Sequence, residues 1–367
     1  MKKLVDSGYD AYLVGGCLRD GLCGIKPKDH DVVTNASPQQ VKKLFRRSRI
    51  IGKRFRIVHV PTEQDFIEVC TFRARESWWG EFYAKWFKKP SYLNNIYGTI
   101  ETDAWRRDIS ANALYYDIKS EQIIDFTNGY QDIINKKLRM IGHPVVRFRQ
   151  DPVRILRVVR FAAKTQFNIG QELERAIIQM APSLTRASQD RLLLEVIKLF
   201  YHGHGRETLL LIDKYNLLEI LFPGYSKIHH NKKHYMDFLK TALASSDRRY
   251  RENQNLSTGF LLAVLLWPIL AQSLSKSLEK MKPHELHKLV KKTFKEQGVV
   301  VAITKKLQEI IEDIWSLQYH MQARTKMKIE DIRHHPRVRA AYDFLSIRAQ
   351  VDESLANTTL KWHNIIS

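Results

Sequence analysis

Pro27-Lys28-Asp29-His30-Asp31-Val32-Val33-Thr34 sets two carboxylates two residues apart at the head of a β-branched run. A strand alternates its side chains, so the spacing predicts Asp29 and Asp31 on one face and His30 packed on the other. Two like charges side by side repel each other. Solvated aspartates on a sheet edge are one reading; a bound divalent cation, which removes the conflict, is the other. Mg2+ (or Mn2+) takes hard oxygen ligands, commonly one or two carboxylates together with substrate phosphates.

Upstream, Ala11–Val14 is a short apolar run that ends in Gly15-Gly16, with Cys17-Leu18-Arg19-Asp20 after it. This reads as a strand, a turn and a helix start. The glycines would let backbone approach a phosphate, and Arg19 in the first turn would be a charge-assisted donor. A tight strand-to-helix turn with no ligand is the plain alternative. Downstream, Ser37 and Pro38 read as N-cap and first position of a helix through Phe45, and Phe55–Val60 and Phe66–Phe72 as strands. A two-metal site needs a further carboxylate. Glu68, inside a strand, and Asp108, after Arg106-Arg107 and before the strand-like Ala113–Tyr116, are both candidates, and the sequence does not choose between them.

After Pro144 the strand signals fade, and from Asp151 helix follows helix, with breaks expected at Pro182, Gly203–Gly205, Pro223, Pro268, Pro283 and Pro336. Asp151-Pro152 is a helix start, with Asp151 capping. At about 100° per residue, Arg154, Arg157 and Arg160 share a sector of roughly 120°, opposite Ile155, Leu156, Val158, Val159 and Ala162. Asp151 accepts and Arg154 donates, a pair able to read the hydrogen-bonding edge of a base. The fold class expected is α+β: a head with a small mixed sheet over residues 1–140, a helical neck over 141–205, a helical body over 206–320 and a C-terminal helical segment over 321–367.

The 367 residues carry 60 Lys and Arg against 39 Asp and Glu, a net charge of +21. Such an excess suits a polyanion, nucleic acid or anionic membrane. It is shared: +7 in residues 1–140 and +14 in the remainder, so both parts would hold a nucleic acid. A cluster of Lys42, Lys43, Arg46, Arg47, Arg49, Lys53, Arg54 and Arg56 reads as a phosphate-tracking patch or a solvated face. With 44% hydrophobic residues, disorder is excluded. The longest apolar run, Phe260–Ala271, is too short to span a membrane and reads as a buried helix. No secretory signal is visible at the N-terminus, and three cysteines (Cys17, Cys23, Cys70) at no zinc-like spacing suit a reducing cytoplasm. His229, His230, His234, His334 and His335 lack carboxylate or Cys companions at ligand spacing and read as solvated surface.

Taken in order, Gly15-Gly16-x-x-Arg19-Asp20, Asp29-x-Asp31, Arg106-Arg107-Asp108 with Asn112, Asp151-x-x-Arg154 with Arg157 and Arg160, and Arg191 with Glu195 resemble the class II nucleotidyltransferases. That superfamily, with its polymerase-beta-like head, comprises bacterial poly(A) polymerases and CCA-adding tRNA nucleotidyltransferases. Ile50-Ile51-Gly52-Lys53-Arg54-Phe55-Arg56-Ile57-Val58-His59-Val60 looks like the stretch that marks the polymerase branch, and His335-Pro336 through Arg339-Ala340-Ala341-Tyr342-Asp343-Phe344-Leu345 is similar to it as well.

The resemblance implies template-independent addition of AMP from ATP to RNA 3′ ends, with pyrophosphate leaving. CCA addition and a non-catalytic RNA-binding protein on the same fold are the alternatives. By the same resemblance Asp29 and Asp31 hold the metal, with Glu68 or Asp108 completing the acidic set. Gly15, Gly16 and Arg19 lie at the triphosphate, and Arg107, Asn112, Asp151, Arg154, Arg157 and Arg160 form the nucleotide pocket. Lys42, Lys43, Arg46, Arg47, Lys53, Arg54 and Arg56 hold RNA, as do the helical body over 206–320 and the C-terminal segment over 321–367. A cytoplasmic monomer is expected, with no membrane; an RNA chaperone or a degradation complex is a candidate partner. Two departures stand out: Gln150 replaces the family's usual Glu, and His30 an aromatic or aliphatic residue. Ser77–Tyr92 is unusually aromatic; Trp79, Phe82, Tyr83 and Trp86 are helically spaced, which suits packing, while Lys85, Lys88 and Lys89 leave stacking on single-stranded RNA as the other use.

Overall fold

Ser37 opens the clearest local element. Its hydroxyl accepts from Gln40 N at 3.3 Å, while Gln40 Oε1 accepts from Ser37 N at 2.8 Å, a reciprocal capping box ahead of Pro38. The structure, a computed structural model, describes residues 1–27, 29–52, 56–63, 65–74, 97–274, 277–323 and 327–366. The chain divides into two compact units: residues 1–147 with 165–176, and 148–164 with 177–367.

In the first unit the strands are β1 (Ala11–Val14), β2 (Asp31–Thr34), β3 (Arg49–Ile51), β4 (Ile57–Pro61), β5 (Phe66–Thr71), β6 (Leu114–Asp117) and β7 (Gln122–Asp125). They form one mixed sheet in the order β3-β4-β5-β2-β1-β6-β7, in which β2 and β5 run parallel and the other neighbours antiparallel. Alternation along the strands gives the sheet two apolar faces. On one, Ala11, Val32, Val58 and Val69 pack with Leu4 of α1 (Lys2–Asp6) and Val41 of α3 (Pro38–Leu44). On the other, Val14, Val33, Tyr115 and Phe72 pack with Ala104 of α4 (Ile100–Trp105). Between β1 and β2 lies α2 (Gly16–Leu22). Gly15, its N-cap, has φ +80°, a left-handed turn that suits glycine.

Two expectations for the opening motif are corrected. His30 is exposed, not packed, and Asp29 precedes the strand instead of lying in it. The reason is the length of the neighbouring strand. Asp31 pairs with Val14, the last residue of β1 before the Gly15 turn, so no β1 backbone remains for residues 29 and 30 to pair with.

The second unit is helical among the described residues. It includes α5 (Arg154–Thr165, whose last residue belongs to the first unit), α6 (Gln189–Phe200), α7 (Gly205–Lys214), α8 (Lys232–Arg251), α9 (Thr258–Gln272), α10 (Pro283–Gln297), α11 (Lys305–Gln322), α12 (Val338–Ala349) and α13 (Ala356–Ile366). Its core is aromatic: Phe344 meets Trp267 at 5.3 Å and Phe238 at 5.6 Å, and Trp315 stacks on Phe294 at 5.8 Å. Phe260–Ala271 does lie in a buried helix, α9, and no helix among the described residues is long and apolar enough to cross a membrane. Pro268 does not break that helix, contrary to the sequence reading. A proline removes one backbone donor and crowds the preceding turn. Here Trp315 Nε1 donates to Ala263 O at 3.3 Å and the Tyr225 hydroxyl to Leu265 O at 2.6 Å, on either side of Val264, whose carbonyl is the one Pro268 leaves without a helical donor.

Candidate active site

The register of the sheet builds the acidic cluster. Asp31 on β2 stands opposite Glu68 on β5 on one side and Val14 on β1 on the other; Glu68 stands opposite His59 on β4, and Val14 opposite Tyr115 on β6. Residues in one transverse row share a face, so His59, Glu68, Asp31 and Tyr115 all project from the side that carries the Val14–Phe72 core. Asp29, just before the strand, adds a third carboxylate. Burial raises the Asp31 carboxyl above its ordinary range; the charge of Glu68 raises it further, Arg107 opposes, Asp29 raises it and His30 opposes. Glu68 also lies 3.3 Å from His59 Nε2, whose ring stacks on Phe66 at 3.9 Å.

Asp108, the other candidate carboxylate, faces a different group. It is buried, and its Oδ1 lies 3.9 Å from Arg147 Nη2. That guanidinium donates to the carbonyls of Arg106 and Arg107 at 2.7 and 2.8 Å, so it pins the turn that follows α4.

Arg107 is the cation of the acidic face, and three groups hold it. Asp103, at 0% exposure, accepts from Arg107 Nε and Nη2 at 3.1 and 3.0 Å, from Arg106 Nε at 2.8 Å, from the Tyr115 hydroxyl at 2.9 Å and from Arg73 N at 3.1 Å. Burial alone would raise Asp103, but Arg107 and Arg106 outweigh it and hold the carboxyl below its ordinary range. Tyr115 is pushed well up by burial beside that carboxylate. Arg107 Nη1 reaches Asn112 O at 3.4 Å and lies 3.4 Å from where a Cβ on Gly15 would be, an ordinary contact distance, so the guanidinium sits beside the glycine turn. Asn112 Oδ1 accepts from Arg19 Nη1 at 2.5 Å, and Arg19 Nε also donates to Asp20 Oδ1 at 2.9 Å. Arg19 is thus 2% exposed and engaged by two side chains. Cys70, on the same sheet face, has its thiol pushed up to about 11 by burial and stays protonated.

Donor chemistry fits a hard divalent cation: mutually repelling carboxylate oxygens, one of them with a pKa raised first by burial and then by the charge of Glu68. Among the described residues no three His, Cys, Asp or Glu side chains already stand at ligand spacing.

In the helical unit the three arginines flank a buried seam of Ile155, Leu156, Val158, Val159 and Ala162, as their spacing predicts. The first turn differs. Asp151 Oδ1 accepts from Val153 N at 3.3 Å, but α5 begins at Arg154. Asp151 Oδ2 accepts from Arg191 Nη2 on α6 at 2.8 Å. Gln150 Oε1 accepts from Arg154 at 3.5 Å, so the neutral side chain still reaches the arginine, at the limit of a hydrogen bond. Arg160 lies 3.6 Å from Glu195 Oε2 and 4.8 Å from the ring centre of Phe161. Asp151 and these arginines belong to the second unit, the acidic cluster to the first.

Lys42, Lys43, Arg46, Arg47, Arg49 and Arg56 are all exposed. Lys53, Arg54 and the aromatic stretch Ser77–Tyr92 lie outside the described residues. The sequence reading missed Asp103, Tyr115 and Arg147. Asp103 had a local signal, standing three and four residues before Arg106 and Arg107 on one helix; Arg147 had none.

Known proteins resemble the chain throughout. Residues 11–139 match the family described as "Poly A polymerase head domain", residues 166–228 "Probable RNA and SrmB- binding site of polymerase A", and residues 279–367 "Polymerase A arginine-rich C-terminus". Poly(A) polymerase I of Haemophilus influenzae is 37% identical over 99% of this chain and 82% of its own length. That of Salmonella typhimurium is 38% identical over 96% and 77%. The CCA-adding enzyme of Bacillus subtilis is 33% identical over 61% of this chain and 54% of its own length. Among solved structures, the Bacillus stearothermophilus CCA-adding enzyme in complex with CTP superposes with a TM-score of 0.69 at 22% identity, covering 99% of this chain and 80% of that one, a likeness of fold.

Proposed function

This chain belongs to the poly(A) polymerase I family, and we propose that it adds AMP from ATP to the 3′ ends of RNA without a template, releasing pyrophosphate. The observation that carries this reading is the reach of the likeness. Poly(A) polymerase I relatives match both units almost end to end, whereas the CCA-adding relative matches 61% of the chain.

In this reading Asp29 and Asp31 hold a divalent cation, Mg2+ or Mn2+, and Glu68 is the third carboxylate. Glu68 is favoured over Asp108 because it is the register neighbour of Asp31 and the largest charge acting on it, while Asp108 faces Arg147. When bound, the metal supplies charge neutralisation at the attacking hydroxyl and at the departing oxygen. Gly15 and Gly16 give the triphosphate access to backbone at the start of α2. Arg107, held by Asp103 and Tyr115, presents a fixed cation to the phosphates. Arg19 and Asn112 act by position, tying α2 to the turn before β6. Asp151, held by Arg191, and Arg154 select adenine, with Arg157 and Arg160 completing the nucleotide pocket. Exposed Lys42, Lys43, Arg46, Arg47 and Arg56, with Lys53 and Arg54, bind RNA phosphates. The enzyme works as a cytoplasmic monomer, with an RNA chaperone or a degradation complex as the candidate protein partner.

The test is a labelled RNA primer with ATP. The wild-type chain should lengthen the primer and release pyrophosphate in step, and Asp31→Ala should abolish both while retaining most of the affinity for RNA. Wild-type-like extension by Asp31→Ala would sink the metal assignment, and no extension by the wild type would sink the activity.

A further inference from the structure

The segment that resembles an RNA-binding family, residues 166–228, contains seven Lys and Arg and seven Asp and Glu, so it has no net charge with which to hold a polyanion. The excess lies elsewhere in the second unit, and α10 displays it most regularly. At about 100° per residue, Lys288, Lys291, Lys292 and Lys295 fall within one sector of roughly 100°, with His284 inside it. All five side chains are exposed. Leu286, Val290 and Phe294 anchor the opposite face, Phe294 by its stack on Trp315.

The acidic groups nearby are turned to other partners. Glu296 takes Lys227 at 2.9 Å, and Glu312 of α11 takes His287 at 2.5 Å, beside the ridge. None of the four lysines joins an ion pair among the described residues. They sit on successive turns, with Lys291 and Lys292 side by side in the middle, and span about 10.5 Å along the axis at a rise of about 1.5 Å per residue. No Phe, Tyr or Trp of α10 is exposed, so the only rings the helix offers a base are the imidazoles of His284 and His287.

We propose that the α10 lysine ridge is a phosphate track for single-stranded RNA, binding the substrate's backbone irrespective of its sequence. This rests on the polyadenylation reading for the identity of the polyanion. Four phosphate contacts on a single strand contribute a salt slope of about 0.7 each, or about 3 in all, which between 50 and 200 mM salt amounts to about a 50-fold change in affinity.

The test compares the full chain with the quadruple variant K288Q/K291Q/K292Q/K295Q and with its Lys→Arg counterpart. Gln has nearly the helix propensity of Lys, and circular dichroism checks that the helices remain. Fluorescence anisotropy with labelled oligo(A) and with a mixed-sequence RNA, across 50–200 mM salt, gives the slopes. The Gln variant should lose about 3 from the slope with both RNAs, the Arg variant should keep it, and kcat at saturating RNA should not change. A Gln variant within 1 of the wild-type slope overturns the proposal. So does loss of binding to phosphatidylserine vesicles alone, with RNA binding unaltered. The two readings fail separately: a chain that binds RNA through the ridge but adds no AMP refutes the polymerase, and an active polymerase with an unaltered slope refutes the ridge.

Discussion

Replacing Asp103 by Asn should loosen the head and detach Arg107 from its position, although Asp103 lies outside the acidic cluster itself. The carboxylate is 0% exposed and accepts from two guanidiniums, one hydroxyl and one backbone amide. Removing one member of a buried ion pair costs about 3–5 kcal/mol, because the partner charge stays buried without compensation. Here the lower end applies, about 3 kcal/mol, since the Arg106 and Arg107 side chains remain 28% and 19% exposed and water screens part of the loss. The sign of the pH dependence follows from the direction of the shift. Asp103 is held below its ordinary 3.8, so its contribution is full above that value and is lost as pH falls through the folded-state pKa. The wild type should therefore exceed Asp103→Asn by about 3 kcal/mol at pH 7, and the gap should close only below pH 3.8. Native-state hydrogen exchange of the β1, β2 and β6 amides reads the head's own opening energy in the full chain. A gap under about 1 kcal/mol at pH 7 would show that Asp103 is dispensable and refute the account of how Arg107 is held.

Other expectations concern individual side chains. Glu68→Gln should remove at least 99% of AMP incorporation with little change in stability, whereas Asp108→Asn should lower stability by about 1–3 kcal/mol by weakening the partner of buried Arg147; single-turnover kinetics and unfolding of both variants check the assignment, and the reverse pattern would exchange the two carboxylates. Asp151→Ala or Arg154→Ala should narrow the preference for ATP over CTP more than it raises the KM for ATP; unaltered discrimination would remove this pair from base selection. Gly15→Ala should raise the KM for ATP several-fold, since alanine at φ +80° costs about 1–2 kcal/mol and its methyl would cover backbone that the phosphates approach; a wild-type KM would show that the turn has no phosphate to accommodate.

What the sequence made legible depended on how local each signal was. β1 falls at Ala11–Val14 as read, because an apolar run stopped by two glycines is a self-contained message. Ser37-Pro38 likewise marked its helix start without help from elsewhere. His30 misled because alternation was extended past the end of the partner strand, and where β1 ends is set by the turn at Gly15. Pro268 misled because the helix that carries it is almost wholly buried, and the packing that holds it comes from other elements and leaves no local pattern. In the site, Asp31 was visible by itself, but that Glu68, and not Asp108, is its neighbour across the sheet required the parallel register of β2 with β5. Arg147, which pins the turn carrying Asp108, stands about forty residues away and left no pattern.

The central claim is that this acidic face, in this family, transfers adenylate to RNA. Initial rates measured separately with ATP and CTP, on an unstructured RNA primer and on a tRNA lacking its CCA end, test it most directly. The account predicts that kcat/KM for ATP on the unstructured primer exceeds that for CTP on either RNA by at least tenfold, with repeated addition of A. Efficient CTP addition to the truncated tRNA, stopping after the missing nucleotides are restored, would contradict it.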